Sequence, residues 1–275
     1  MSSPALMAVV QMCSGPDRRA NLESASTLLE QAAALGARLA VLPENFSFMG
    51  QAEGEVVAMG ETPEDSVALA FLRERARHLG MWIVGGSLPL VAPEHPGKVT
   101  NTCFVVHDGG DVVARYDKIH LFDVALGARE PYRESRSIAP GREPVVVDTP
   151  WGRMGLTICY DLRFGELFRE LARRGAEIFT VPAAFTLTTG KDHWEVLLRA
   201  RAIEHFAHVL AAGQGGVHPG GRRTYGHSLM VEPWGLVTGR APDGPGVAVA
   251  LLDPGAPARR RREIPCHQHR VLERP

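Results

Sequence analysis

Three residues of this chain follow apolar runs at places where a charged or reactive side chain has no packing reason to be. Glu44 comes directly after RLAVLP, Lys118 after VVARYD, and Cys159 ends MGLTIC. In open α/β sheets, ligands gather beyond the carboxyl ends of strands. A carboxylate desolvated between Pro43 and Phe46 has a raised pKa and acts as a base near neutral pH. A lysine flanked by Tyr116, Ile119 and Leu121 is placed to donate to a developing oxyanion. A cysteine between a strand and a helix beginning near Phe164 would lie close to a helix N-terminus, which lowers thiol pKa and favours the nucleophilic thiolate. Each residue also has a plainer reading: a solvated loop acid, a surface lysine, a buried structural thiol.

The elements that must hold these residues can be read from periodicity. ALMAVVQM is a buried strand, and NLESASTLLEQAAAL follows at helical spacing and stops at Gly36. RLAVLP is a second strand. Thr62-Pro63-Glu64-Asp65 marks the start of a helix that runs to Gly80, and MWIVGGSLPL is a further strand. TNTCFVVHDGGDVVARYDK predicts a hairpin turning at Asp108-Gly109-Gly110, and EPVVVDTPWGRMGLTIC a second turning around Pro150-Trp151-Gly152. Residues 119–143 show no clear period, and a loop of that length is often functional. GELFRELARRG is an amphipathic helix, AEIFTVP a strand and HWEVLLRARAIEHF a helix. HVLAAGQG, HSLMVEPWG and GVAVALLD complete the strands.

Strand and helix alternate in two stretches separated by hairpins, an α/β pattern with mixed sheets. LGARLAVLPENF (35–46) and RGAEIFTVPAAF (174–185) align without a gap. Two copies of one helix–strand unit predict two similar sheets facing each other. Where the first copy has Glu44, the second has Ala183.

Composition sets the frame. The 275 residues carry a net charge of -1, with 45% apolar and 22% charged residues, an ordinary globular profile. Bulk attraction to nucleic acid or an anionic membrane is not expected. No apolar run approaches the ~18 residues that span a bilayer, and the N-terminal ALMAVV reads as a strand rather than a signal peptide. Cys13, Cys103, Cys159 and Cys266 are widely spaced, which predicts free thiols in a reducing cytoplasm and no zinc knuckle.

LPENF, YDKIHLFD and ICYDLRF, in that order, resemble the three signature segments of the nitrilase superfamily of carbon–nitrogen hydrolases. YRES, VPAAFTLTTGKDHWEVLLRARAIE and YGHSLMVEPWG also resemble segments of that family, and the likeness runs from about residue 5 to about residue 270. The resemblance implies a four-layer α-β-β-α sandwich with two mixed β-sheets, a homodimer or larger, and an amide hydrolase working through a thioester. It implies Glu44 as general base, Lys118 as oxyanion stabiliser and Cys159 as nucleophile. Glu134 matches a position where many members carry a second glutamate beside the lysine. No metal or organic cofactor is needed, and the expected partner is a small-molecule amide. The chain is expected to form one domain over 1–275, with 254–275 as a C-terminal tail.

The mechanism asks for a second oxyanion donor, and the backbone N–H of Tyr160 is the expected one. Arg163 either pairs with Glu166 across the first turn of its helix or receives a substrate carboxylate. Phe185 and Thr186 end the second echo strand and either line the pocket or pack the core. Within the superfamily the segments resemble the deaminated glutathione amidase branch more than the ω-amidase branch, which tends to have asparagine where this chain has Thr186. Gly165 stands where the family usually has proline, so the turn after Cys159 is expected to be looser. Arg222 and Arg223 either face solvent, the expected reading, or meet an anionic substrate, and ARRRRE (258–263) is expected to form a solvated or subunit-contacting face. The histidine pairs 205/208 and 267/269 read as solvated or core residues rather than metal ligands. An inactive scaffold would have lost the base, the lysine or the thiol, and all three are present.

Overall fold

In the computed structural model, which describes residues 3–52, 54–125 and 132–272, the apolar runs fold as strands and the 3.6-period stretches as helices. The first half is β1 (Ala5–Gln11), α1 (Arg18–Ala34), β2 (Leu39–Val41), α2 (Glu55–Ala58), α3 (Val67–Leu79), β3 (Trp82–Val84), β4 (Leu88–Val91), β5 (Val99–Val106) and β6 (Val112–Asp117). Short strands β7 (Asp123–Val124), β8 (Tyr132–Arg133) and β9 (Ile138–Ala139) follow. The second half is β10 (Val146–Thr149), β11 (Gly152–Leu156), α4 (Gly165–Arg173), β12 (Ile178–Ala183), α5 (Leu187–His205) and β13 (His208–Gly213). It closes with β14 (Gly215–Val217), β15 (Arg223–Tyr225), β16 (Leu229–Val231), β17 (Val237–Arg240), β18 (Gly246–Leu252) and α6 (Ala256–Glu263).

Two mixed sheets result. One has the order β18-β1-β2-β3-β5-β4, with β6 and β9 on β5, and the other runs β10-β11-β12-β13-β16-β17. The internal echo is structural. β1, β2 and β3 pair in parallel, as do β11, β12 and β13, and each set carries its helices as crossovers. β1 shows how the layers form. Met7 and Val9 pack with Leu156, Val181 and Val209 of the other sheet, whereas Ala8 and Val10 pack against Leu28 and Leu29 of α1 and Leu72 of α3. Leu167, Phe168 and Leu171 of α4 and Trp194 and Leu198 of α5 cover the second sheet. A strand buried on both faces must be apolar, and β1 is from Ala5 to Val10, ending on the buried Gln11. The order helix, sheet, sheet, helix is the expected four-layer sandwich.

Three boundaries differ from the reading by periodicity. α3 begins at Val67, because Ser66 Oγ accepts from Leu69 N and caps it, while Thr62 hydrogen-bonds Asp65 in a separate turn. MWIVGGSLPL is two strands. Gly85 and Gly86 break it where a Cβ on Gly86 would lie 2.1 Å from Pro43 O, so the chain passes too close to the Glu44 loop to continue straight. α5 starts six residues before His193, at Leu187, capped by Thr186. Its Gly190 backs onto Tyr225, where a Cβ would approach within 2.2 Å, so packing on β15 overrides the Thr/Gly-rich composition.

Three of the four arginines of α6 are engaged with the chain itself. Arg261 donates to His205 O and Ala176 O, capping the carboxyl end of α5, Arg259 pairs with Asp253, and Arg260 lies over the Trp234 ring. They are therefore only partly the solvated face that their run suggests. No helix among the described residues is long and apolar enough to cross a membrane.

Candidate active site

Glu44, Lys118 and Cys159 meet on the wall of one cavity of about 820 Å³, lined also by Asn101, Glu134, Tyr160, Arg163, Phe185, Thr186 and Arg222. All three are buried. Each is pinned by backbone contacts from a different part of the chain. Glu44 leaves β2 in a loop whose Asn45 N donates to Ser87 Oγ, and the Glu44 carbonyl accepts from Gln214 Nε2 at 3.0 Å. Lys118 follows β6, with its N–H on Asn101 O and its carbonyl accepting from Gly141 N. Cys159 leaves β11 at φ 51°, in the left-handed region where a non-glycine residue stores strain. That sharp turn exposes the sulfur at the end of the strand, as in a nucleophile elbow.

The Lys118 ammonium donates to Glu44 Oε1 at 2.8 Å and to both carboxylate oxygens of Glu134 at 2.9 Å. Glu134 also accepts from Phe122 N, which ties its loop to the lysine. Asn101 Nδ2 donates to Glu44 Oε1 at 3.0 Å. A buried ammonium survives in low dielectric only with such compensation. Burial alone would lower the Lys118 pKa, but Glu134 and Glu44 outweigh it and hold the lysine well above its ordinary value, so it stays charged.

Two protonation expectations change. Burial pushes the Glu44 carboxyl up, yet the Lys118 charge and the neighbouring Cys159 thiol bring it below the ordinary carboxylate value, so it rests ionised. Burial, and then the negative charge of Glu44, push the Cys159 thiol well up rather than down. No long helix starts at the sulfur. A 3-10 turn, Cys159–Arg163, intervenes before α4, and Ala184 N donates to Sγ at 3.5 Å. At rest the pair is thus a carboxylate beside a thiol, a base and the proton it would take.

The remaining expected residues divide. Tyr160 lines the cavity, edge-on to Phe122 and Phe164. Arg163 does not pair with Glu166. It contacts His193 Nδ1 at 3.1 Å and lies over the Phe185 ring at 5.1 Å, on the cavity wall. Phe185 packs on Trp194 and Thr186 caps α5, so each serves packing or capping and lines the pocket as well. Gly165 does not leave its turn unsupported, because buried Arg201 holds Leu162 O with two N–H groups and lies 3.2 Å from where a Gly165 Cβ would be. Arg222 and Arg223 part company. Arg223 is exposed, but Arg222 is half-buried in the cavity, donating to Ala184 O. The turn His218–Arg222, closed by His218 N on Arg222 O and by two glycines at φ 80°, folds it inward.

Sequence reading missed Asn101, Gln214 and Asp161. Asn101 had a signal, an amide inside the apolar strand β5. Asp161 is fully buried, accepting from Ile158 N, Tyr116 OH and both the N and Nδ1 of His120. Only its place in ICYDLRF marked it.

The carbon–nitrogen hydrolase family model matches residues 6–262. The chain is 41% identical over 276 residues to a deaminated glutathione amidase of Synechocystis, covering 98% of this chain and 99% of that one. A Saccharomyces cerevisiae member of branch 10 of the nitrilase superfamily superposes with a TM-score of 0.88 at 31% identity, covering 99% of this chain and 98% of the other. An amidase from Nesterenkonia sp. AN1, solved after Michael addition of acrylamide at its active site cysteine, superposes with a TM-score of 0.78 at 29% identity, covering 96% and 99%. By the extent of these matches and by its fold, the chain belongs to the carbon–nitrogen hydrolase family and is a hydrolase of the amidase kind.

Proposed function

We propose that this chain hydrolyses a small linear amide through a thioester on Cys159, with Glu44 as general base and Lys118 as oxyanion donor, and that its substrate is deaminated glutathione. The observation that carries the chemistry is the ionised Glu44 held by Lys118 beside a protonated Cys159 in one cavity. Glu44 takes the thiol proton as Sγ attacks the amide carbonyl. A free thiolate need not accumulate, because the base is already charged and adjacent. The tetrahedral oxyanion is met by the Lys118 ammonium and the Tyr160 N–H. Glu44 returns the proton to the departing amine, then activates the water that releases the acid. Glu134 keeps Lys118 aimed. These groups account for each proton transfer without a metal or organic cofactor.

The substrate reading rests on relatives. Deaminated glutathione amidases match nearly the full length of the chain, including the Synechocystis protein at 41% identity. The products would be 2-oxoglutarate and cysteinylglycine. The ω-amidase reading, with α-ketoglutaramate as substrate, is the second possibility that the same site allows. We further place the protein in the cytoplasm as one domain that assembles as a homodimer or larger. The four thiols are free, and Val196 and Ile203 of α5 lie exposed beside exposed Trp234 and Leu236.

The test is a panel of amides scored for released amine or ammonia, with Cys159→Ala as control. Deaminated glutathione, α-ketoglutaramate, simple aliphatic amides and a nitrile belong in it. Turnover of deaminated glutathione above the others supports the proposal. Turnover of α-ketoglutaramate alone moves the protein to the other branch, and turnover that survives Cys159→Ala ends the mechanism.

A further inference from the structure

Two guanidinium groups on the cavity wall have no carboxylate within ion-pair distance among the described residues. These are Arg163 and Arg222. The Lys118 ammonium, by contrast, is fully engaged by Glu44 and Glu134. Arg163 is cushioned by His193, Tyr160 and Phe185. Arg222 is placed differently. Its Nη2 donates to Ala184 O at 3.2 Å, and the N–H of that same Ala184 donates to Cys159 Sγ at 3.5 Å. One residue of backbone therefore separates this cation from the nucleophile. Its Nε is buried with no hydrogen-bond partner among the described residues, and the Tyr132 ring lies 5.8 Å from the guanidinium carbon. The position is built rather than incidental. Gly220 and Gly221 take φ 80°, and a Cβ on Gly220 would come within 2.9 Å of Gln51 O, so the loop turns in against the opposite lip of the cavity.

A buried, unpartnered N–H on a charged group is a cost unless something fills it. We propose that Arg222 is a specificity-determining residue that receives a carboxylate carried by the amide substrate and so sets the amide against Cys159. This rests on the amide-hydrolase reading above and adds to it a requirement for an anionic group on the substrate. Nη1, not engaged by any group among the described residues, and the second N–H of Nη2 present at the guanidinium's end the two parallel donors that a carboxylate accepts. Arg222 takes no proton and touches no reacting atom, so its contribution is to binding and register.

Two measurements on the whole chain test this. The first compares deaminated glutathione with its two mono-methyl esters, each lacking one negative charge, in the wild type, Arg222→Gln and Arg222→Lys. Arg222→Gln should lower kcat/KM for the parent about 100-fold, mainly through KM. It should cause almost no further loss on the one ester whose missing charge Arg222 reads, and Arg222→Lys should recover part of the loss. An equal loss on the parent and on both esters would mean a structural or base-tuning role and would overturn the inference. The second measures binding of glutarate, a dicarboxylate with no scissile bond, by calorimetry. Binding should weaken at least tenfold in Arg222→Gln, and glutarate bound equally by both proteins, or by neither, overturns the inference. If the wild type turned over no amide while glutarate binding still depended on Arg222, the function reading would fall and Arg222 would stand only as a carboxylate-binding residue of this cavity.

Discussion

The hydroxyl of Tyr116 donates to the carboxylate of Asp161 across 2.6 Å in the buried core. Tyr116 is two residues before Lys118 and Asp161 two after Cys159, so this bond fixes the lysine strand to the Cys159 turn. The same carboxylate oxygen accepts from Ile158 N, the residue before the cysteine, at 2.8 Å. Tyr116→Phe removes the bond and strips Ile119 N of its acceptor. The expected result is about 1–3 kcal/mol less stability, from buried groups left unpaired. A roughly tenfold fall in kcat should accompany it, since a small misplacement of reacting groups is costly. Urea unfolding and steady-state kinetics on one preparation measure both.

Lys118→Gln should cost more stability than an ordinary surface change. It leaves Glu44 and Glu134 facing each other without the ammonium that holds both. Removing one partner of a buried ion pair typically costs about 3–5 kcal/mol. Without the Lys118 charge that lowers it, burial raises the Glu44 pKa above its unfolded value, so the variant should regain part of its stability as pH is lowered toward 5. Unfolding midpoints at pH 8 and pH 5 check the sign.

Inactivation by iodoacetamide should depend on Glu44. The Cys159 thiol is protonated at rest, and burial pushes the Cys103 thiol up to about 12, so neither reacts as a free thiolate. Glu44→Gln should therefore slow alkylation of Cys159 at least tenfold and leave labelling of exposed Cys13 and Cys266 unchanged. Mass spectrometry of each labelled cysteine over time reads this without needing turnover in the variant. Equal Cys159 labelling rates in the two proteins would remove Glu44 as the base.

Acid should weaken the fold through His205. Burial, and then the charges of Arg270, Arg201, Arg261 and Arg169, push its imidazole down to about 3. An unfolded histidine, with pKa about 6.5, takes up a proton as pH falls through that value, and the folded one does not. Stability is thus fully present above about 6.5 and drains away as pH descends toward about 3. The slope from this residue is at most about 1.4 kcal/mol per pH unit. His205→Phe keeps the ring against Phe179 and should flatten that part of the profile. Urea midpoints across pH 8 to 4 measure it.

Gly86→Ala should be among the most damaging single-methyl changes. The residue sits at φ 54°, and its new Cβ would lie 2.1 Å from Pro43 O. Relief requires moving the loop that presents Glu44. The expected outcome is a loss of roughly 1–2 kcal/mol or more from the backbone conformation alone, with kcat falling further than stability predicts. A variant as active and stable as the wild type would show that the loop yields freely.

The echo between 35–46 and 174–185 made two facing sheets legible, because short continuous apolar runs and helix-ending glycines are local signals. Where the reading failed, contacts from outside the segment decided. Gly85–Gly86 splits a strand because Pro43 lies above it, and Thr186 starts α5 early because Tyr225 packs on Gly190. The same division holds at the site. By itself, the order of residues singled out the side chains to which we assign the chemistry, since an acid, an ammonium and a thiol each follow or end an apolar run. Tertiary structure alone decided their charge states and company. Glu44 and Lys118 are 74 residues apart, and it is their contact at 2.8 Å that keeps one anionic and the other cationic, while burial and the Glu44 charge keep the nearby sulfur protonated. Arg222, read as a surface residue, belongs inside for the same reason: electrostatics and desolvation depend on distance in space, which the linear chain does not express.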